Sequence, residues 1–145
     1  MFQAVWDVFD RTDIFVLAAA VSDLTFPDVS SRKIKKASVG DSLPIQKTKD
    51  ILKSLGENKK GKFLVGFAAE TEDLEANARA KLSAKNCDLI VANDVSDPEV
   101  GFASDLNRIN LYSIEGLVSR TPMAGKAEIA GHIWDIIEER LEKKA

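Results

Sequence analysis

Three apolar runs along the chain end in small residues that are followed by polar ones. The runs are "IFVLAAAVSD" (14–23), "FLVGFAAET" (63–71) and "DLIVAND" (88–94). Short continuous apolar runs are typical of strands that are buried on both faces of a sheet. We therefore predict buried strands at Ile14–Ala19, Phe63–Gly66 and Leu89–Ala92.

Other segments carry apolar residues at the spacing of an α-helix. The predicted helices are Met1 to about Arg11, Lys49–Leu55, Leu74–Lys85 and Ala127–Leu141. Thr48 can cap the second helix, and Gly56 can end it. In the last helix the predicted inward residues are Ile129, Ile133, Trp134, Ile136 and Ile137.

The remaining segments predict loops and short strands. Residues 22–32 and 93–107 read as long loops, and "INLYS" with "LVSRT" predicts a hairpin around residues 114–116. "KIKKA" and "LPIQ" predict short, half-exposed strands on either side of a turn at Gly40 and Asp41. Strands that alternate with helices indicate one α/β domain, residues 1–145, with a three-layer, Rossmann-like, mostly parallel sheet and a C-terminal β-hairpin.

The polar strand ends predict one shared pocket. Ligands of open α/β sheets bind beyond the carboxyl ends of the parallel strands. The alanines and Gly66 there would let a ligand approach the backbone, and the polar residues that follow would contact it. In the alternative interpretation, the small residues only allow helices to pack closely against the strands.

Composition narrows the class of ligand. The chain has 145 residues and a net charge of −3, so no overall positive field attracts nucleic acid or an anionic membrane. The sequence also indicates a cellular compartment. Cys87 is the single cysteine, which fits a reducing compartment. There is neither an apolar run long enough to span a membrane nor the pattern of a signal peptide. We expect a soluble cytoplasmic domain.

Local basic clusters indicate a phosphorylated ligand. The phosphate-loop and dinucleotide fingerprints are absent, and His132 and Cys87 are too far apart in sequence to suggest a zinc site or a nucleophile pair. His132 is expected at the boundary of the core. The lysines of interest are Lys33, Lys35, Lys36, Lys47, Lys49, Lys81 and Lys85. Lys81 and Lys85 share a helix face below Asn77, which could equally be a solvated face.

Six motifs in order resemble one known family. They are "AAAVSD" (18–23), "KIKK" (33–36), "TKDIL" (48–52), "VGFAAET" (65–71), "ARAKLSAKNCDLIVAND" (78–94) and "GFASDLN" (101–107). Together they are similar to the phosphopantothenate–cysteine ligase family, the synthetase part of the bifunctional coenzyme A biosynthesis flavoprotein.

The resemblance implies a reaction and a set of site residues. The family joins 4′-phosphopantothenate to cysteine through an acyl-cytidylate, with CTP and Mg²⁺. Lys33 would serve acyl-cytidylate formation, and Asp23 would contact the nucleotide or its metal ion. The other implied nucleotide-binding residues are Leu17, Ala18, Ala19, Lys49, Asp50, Ile51, Leu52, Phe67, Lys81 and Lys85. The nucleotide base would lie against Leu17–Ala19 and Phe67. Residues 49–52 would offer the backbone amides of a helix N-terminus. The phosphates would be held by Lys81 and Lys85.

The resemblance also implies partners. Family members dimerise through the long loop and its two strands, so we expect a homodimer with "KIKKA" and "LPIQ" near the partner subunit. The chain differs from the family at two places. Lys49 stands where the family usually has proline, and this change keeps the backbone amides of the helix residues that follow. The family's N-terminal glycine-rich turn and its Asn have no counterpart in this sequence. We therefore expect a partial or split subunit in which Ile14–Ala19 borders an absent strand, and which self-associates or needs a polypeptide that supplies that part.

Two other functions remain open from the sequence. The same scaffold could serve as a non-catalytic nucleotide-binding or assembly module. An ordinary NAD-binding domain is disfavoured by the missing fingerprint. The preference between CTP and ATP is not determined by the residues.

Overall fold

A central sheet of five strands organises the domain. The computed structural model describes residues 1–28, 30–35, 42–70, 73–94 and 105–143. The strands of this sheet are β1 (Ile14–Leu17), β4 (Phe63–Glu70), β5 (Leu89–Asp94), β7 (Ile109–Ser113) and β8 (Gly116–Arg120), and they lie in that order across it. The first three are parallel and the last two antiparallel. The predicted α/β class, with a mostly parallel sheet and a C-terminal hairpin, is confirmed.

Short strands and helices surround this sheet. Two small antiparallel pairs form outside it, β2 (Leu24–Thr25) with β3 (Gln46–Lys47) and β6 (Leu106–Asn107) with β9 (Ala124–Gly125). The helices are α1 (Phe2–Trp6), α2 (Ile51–Glu57), α3 (Leu74–Lys85) and α4 (Lys126–Glu142), with a 3₁₀ turn at Phe9–Arg11.

Helices cover both faces of the sheet, which gives three layers. On one face, Ile129, Ile133 and Ile137 of α4 pack against alternate residues of β4, β5 and β7. On the other face, Ala78 and Leu82 of α3 pack against β4 and β5. The α2 helix and the N-terminal segment pack beside them, over β1 and β4. Strands buried from both sides need continuous apolar runs, as the sequence has.

The strand β1 lies at one edge of the sheet. Within the described residues it pairs only with β4, from Ile14 opposite Phe63 to Leu17 opposite Gly66. Val16 of this strand is exposed.

Several predicted boundaries shift in the structure. The first helix divides into α1 and the 3₁₀ turn, and β1 ends at Leu17 instead of Ala19. The predicted cap of α2 is wrong, because Asp50 caps this helix and its carboxylate accepts the backbone N–H of Lys53 at 2.9 Å. The predicted stop at Gly56 is also wrong, because the helix continues to Glu57.

The strands predicted at "KIKKA" and "LPIQ" are not found with those bounds. Residues 33–35 form no strand, and of "LPIQ" only Gln46 lies in a strand, β3, which pairs with β2. Lys36 and Ala37, the Gly40–Asp41 turn, Thr71 and residues 101–104 lie outside the described residues. Trp134 is also not an inward residue, because the residue is 47% exposed and its Nε1 donates to Glu138.

Candidate functional site

A cleft of about 250 Å³ opens at the carboxyl end of β1 and beside β4. Its walls come from three parallel strands, the segment after β1, the start of α2 and one face of α3. The lining residues are Leu17, Ala19, Val21, Ser22, Asp23, Thr48, Lys49, Asp50, Ile51, Leu52, Phe67, Lys81, Lys85 and Ile90. This is the position in which open α/β sheets bind ligands.

Hydrogen bonds join the segment after β1 to the segment before α2. Thr48 Oγ1 donates to the carbonyl oxygen of Ser22 at 2.7 Å, and the Thr48 N–H donates to the carbonyl oxygen of Asp23 at 2.9 Å. The β2–β3 pair continues this contact outward. Residues far apart in sequence thus form one rim of the cleft, and Asp23 is held beside the start of α2.

Asp50 and Lys85 form an ion pair inside the cleft. One carboxylate oxygen of Asp50 accepts the Lys53 N–H, and the other binds the Lys85 ammonium. Burial alone would raise the pKa of the Asp50 carboxyl. The hydrogen bonds from Lys85 and Lys53, with the charges of both lysines, outweigh burial and lower that pKa below its usual value.

Gly56 sets the position of the Lys85 backbone. A β-carbon at Gly56 would overlap the carbonyl group of Lys85, and it would lie 3.2 Å from the Asn86 β-carbon. Asn86 Nδ2 also donates to the Gly56 carbonyl oxygen at 2.9 Å. The absence of a side chain therefore lets α2 and the end of α3 touch, and the Lys85 side chain reaches back to the first residues of α2.

The two other lysines reach the cleft from different elements. Lys81 lies one turn before Lys85 on α3, half-buried. Lys49 precedes α2, and its ammonium lies 4.9 Å from the centre of the Phe2 ring. Three cationic side chains therefore line one cleft that also holds the carboxylates of Asp23 and Asp50.

The apolar wall closes over Gly66. A β-carbon there would lie 2.9 Å from Ile90 Cδ1 and 2.5 Å from Leu52 Cδ2. Both of these side chains line the cleft. Gly66 lies within β4 and not at its end, and packed side chains fill the space beside it. The packing interpretation is therefore correct at Gly66, and the idea that a ligand approaches its backbone is wrong.

The structure brings together ten of the twelve residues named from the sequence. Those in the cleft are Leu17, Ala19, Asp23, Lys49, Asp50, Ile51, Leu52, Phe67, Lys81 and Lys85. Ala18 and Lys33 are exposed and do not line it. Four cleft residues were not predicted from the sequence: Val21, Ser22, Thr48 and Ile90. The motifs could have indicated three of them, because Val21 and Ser22 stand in "AAAVSD" and Thr48 begins "TKDIL".

The third strand end does not reach the cleft as predicted. β5 contributes Ile90, whereas Asn93 lies further along the strand and does not line the cleft. Asn93 pairs in register with Ala69 and Ile109, and its Oδ1 is buried without a hydrogen-bond partner among the described residues. Among the described residues, the polar end of β1 is therefore the one that reaches the cleft, whereas β4 contributes Phe67 and β5 contributes Ile90 from within the strand.

Metal sites and membrane-spanning helices were sought in the part of the chain that the structure describes. No group of three or more His, Cys, Asp or Glu side chains there could hold a metal ion. His132 is half-buried and its Nε2 lies 2.7 Å from Ser119 Oγ, at the boundary expected for it. None of the described helices is long and apolar enough to cross a membrane.

Fold and cleft together define a three-layer α/β domain with a lysine-lined cleft beside the carboxyl ends of its parallel strands. Residues 1–141 match the model of the DNA/pantothenate metabolism flavoprotein C-terminal domain. The chain belongs to this family, and the resemblance carried by the six motifs is confirmed.

Similar proteins support the assignment. The chain is 45% identical over 139 residues to the coenzyme A biosynthesis bifunctional protein CoaBC of Bacillus subtilis (strain 168), covering 96% of this chain and 34% of the relative. It is 40% identical over 134 residues to a cysteine/cysteine sulfinic acid decarboxylase of an unknown prokaryotic organism, covering 92% and 37%. The chain thus spans about a third of the length of these curated relatives.

A solved structure has the same fold. The crystal structure of the C-terminal domain of a CoaBC protein superposes with a TM-score of 0.77 at 34% identity. The superposition covers 98% of this chain and 61% of that one.

Proposed function

We propose that this domain binds CTP in its cleft and takes part in the ligation of 4′-phosphopantothenate to cysteine, a step of coenzyme A biosynthesis. The observation that carries the proposal is the convergence of Lys49, Lys81 and Lys85 on one cleft of a chain from this family. The names of the CoaBC relatives support the pathway.

The shape and charge of the cleft suit a nucleotide. Leu17, Ile51, Leu52, Phe67 and Ile90 offer an apolar wall against which a base can pack. The three lysines outnumber the two aspartates and lie on the side formed by α2 and α3. A nucleoside triphosphate, with an apolar face and an anionic tail, matches both features.

The donor set also suits Mg²⁺ that enters with the nucleotide. Mg²⁺ is usually held by one or two carboxylates together with substrate phosphates and water. Asp23 is the carboxylate that would hold it, because the Asp50 carboxylate already binds Lys85 and the Lys53 N–H. When bound, the ion supplies positive charge that neutralises the departing pyrophosphate.

The proposed chemistry needs charge stabilisation more than a general base. A carboxylate oxygen of 4′-phosphopantothenate attacks the α-phosphorus of CTP, and pyrophosphate leaves. The amino group of cysteine then attacks the acyl carbon, and CMP leaves with the electron pair of the broken acyl–oxygen bond. Fixed cations stabilise the negative charge that grows on the leaving group, and in this proposal Lys81 and Lys85 supply them.

Lys33 is proposed to act from an intersubunit position. It lies in the exposed segment 30–35 and does not line the cleft of its own chain. Exposed apolar side chains also occur in this segment and in the β2–β3 region, among them Phe26, Ile34 and Ile45. A homodimer formed through this segment, as the family resemblance implies, would cover these side chains and bring Lys33 next to a second subunit.

The position of Lys33 also favours a second candidate function. A domain that binds the nucleotide but lacks this lysine at its cleft would serve as a non-catalytic nucleotide-binding or assembly module. A partner polypeptide that supplies further strands beside β1 would distinguish the two functions, because it would restore ligation only in the first case.

A calorimetric titration tests the proposal. CTP, ATP and NAD are each added to the chain in the presence of Mg²⁺. Binding of CTP, stronger than that of NAD, is expected. Heat from NAD alone would overturn the proposal and favour a dinucleotide-binding domain. Binding of CTP without turnover of 4′-phosphopantothenate and cysteine, even with a supplied partner, would favour the non-catalytic module.

A further inference from the structure

We propose that Asp50 is a positioning residue that fixes the ammonium group of Lys85 for a phosphate of the bound nucleotide. The inference rests on the proposed function, since it assigns Lys85 to phosphate binding. It adds a role for the Asp50 side chain, which the family resemblance places in the site only as part of a helix terminus.

Asp50 is itself rigidly held. Its carboxylate accepts the Lys53 N–H at 2.9 Å, and its carbonyl oxygen accepts the Ser54 hydroxyl at 2.7 Å and the Ser54 N–H at 3.0 Å. Both its backbone and its side chain are therefore bound to the first turn of α2. The carboxylate oxygen that faces Lys85 consequently has a fixed place in the cleft wall.

Lys85 is fixed at both ends of its side chain. At its backbone, the close packing of Gly56 holds the end of α3 against α2. At its tip, the ammonium binds Asp50. A lysine otherwise has a flexible four-carbon stem, and holding it in one place before the ligand arrives reduces the entropy lost on binding.

The ion pair leaves Lys85 able to bind a ligand. An ammonium group has three N–H donors, and the pair with Asp50 uses one of them. The Lys85 side chain is 26% exposed and lines the cleft. The remaining donors can therefore reach a phosphate oxygen while Asp50 keeps the group in place.

Lys81 provides a matched comparison within the same cleft. It lies on the same face of α3, one turn earlier. The Asp50 carboxylate forms its ion pair with Lys85 and accepts the Lys53 N–H. A change at Asp50 should therefore alter the contribution of Lys85 and leave that of Lys81 unchanged.

The test is a double-mutant cycle with CTP and Mg²⁺. Asp50→Asn keeps a side chain that caps helices equally well but removes the charge that holds Lys85. Lys85→Gln should weaken CTP binding about tenfold in the wild-type background and less than about threefold in the Asp50→Asn background. Lys81→Gln should have the same effect in both backgrounds, and cytidine should bind all variants alike.

Equal effects of Lys85→Gln in the two backgrounds would overturn the inference. Asp50→Ser, which also keeps a capping group, replaces Asp50→Asn if that variant does not fold. Failure of the wild-type chain to bind CTP would contradict the proposed function.

A second measurement tests the positioning role without a nucleotide. Acetic anhydride modifies lysine amines, and mass spectrometry reports the rate at each one, with exposed Lys60 as internal reference. The Lys85 amine must leave the carboxylate before it reacts, so Asp50→Asn should speed its modification about threefold or more. An unchanged Lys85 rate would overturn the inference whatever the result with CTP.

Discussion

Gly56 of α2 lies directly against the carbonyl group of Lys85 at the end of α3, with no room for a β-carbon between them. This contact joins two helices and also places the root of a lysine that reaches into the cleft. A residue without a side chain therefore contributes both to the packing of the domain and to the geometry of its site.

Gly56→Ala should lower the free energy of unfolding by about 1–3 kcal/mol, because the new methyl group forces the two helices apart. It should also weaken CTP binding more than cytidine binding, because the Lys85 backbone moves. Urea denaturation and calorimetry measure the two effects.

Gly131→Ala is the matched control for that substitution. Gly131 is an exposed residue within α4, and a β-carbon there would meet nothing within 4 Å. This variant should be stabilised by about 0.5–1 kcal/mol, since glycine within a helix is unfavourable relative to alanine. Destabilisation of both variants by the same amount would contradict the role assigned to the Gly56 contact.

Changing Lys81 and Lys85 together to Gln should weaken CTP binding at least tenfold, because hydrogen bonds to charged groups contribute about 1.5–3 kcal/mol each. Binding of cytidine, which carries no phosphate, should not change. Calorimetry compares the two ligands, and Lys126→Gln, on the exposed first turn of α4, serves as the control. Equal weakening of CTP and cytidine would indicate a disrupted pocket, and no weakening of either would indicate a solvated lysine face.

Lys33→Gln should reduce acyl-cytidylate formation by about 10²–10³-fold in an assembly that turns over, as expected when one charge contact of a transition state is lost. The fold should be unchanged, because Lys33 is exposed and outside the packed clusters. Release of pyrophosphate measures the reaction. Near-normal release from this variant would show that Lys33 is only a surface residue.

Replacing Phe26 and Ile45 together by Ser should shift the chain from dimer to monomer in light scattering. Both side chains are at least half exposed in the segment around the β2–β3 pair, and burying apolar surface between subunits is what stabilises such dimers. Ile114→Ser, at an exposed position of the β7–β8 turn, should leave the dimer intact. A wild-type chain that stays monomeric at high concentration would contradict dimerisation through this segment.

Cys87 should react slowly with iodoacetamide at pH 8 in the folded protein and rapidly in urea. Burial raises the pKa of its thiol to about 12, so little thiolate forms at that pH. Mass spectrometry measures the rate of modification. A rapid reaction of the folded protein would contradict the burial of the Cys87 thiol.

The same pKa predicts a dependence of stability on pH. The ordinary thiol pKa is 9.0, so the raised value stabilises the folded state fully below pH 9, and this contribution is lost as pH rises from 9 towards 12. The difference in unfolding free energy between wild type and Cys87→Ala should therefore shrink over that range. A constant difference would show that the thiol titrates normally in the folded state.

The sequence by itself determined the elements whose signals are local. The apolar run at Phe63–Gly66 and the helical spacing of Leu74–Lys85 predicted β4 and α3, and the bounds of α3 were predicted without error. The order of strands and helices then indicated the α/β layers. These predictions succeed because burial on both faces, or on one helical stripe, has to be encoded by neighbouring residues.

The tertiary structure decided the relationships between distant residues. The pairing of β3 with β2, the outward position of Trp134 and the filling of the space at Gly66 by Leu52 and Ile90 all depend on which elements meet. The Asp50–Lys85 pair joins positions 35 residues apart, and it forms because Gly56 lets two helices touch. The periodicity of apolar residues indicates which face of an element is buried. The relative position and angle of two packed elements are fixed only by how their side chains fit together.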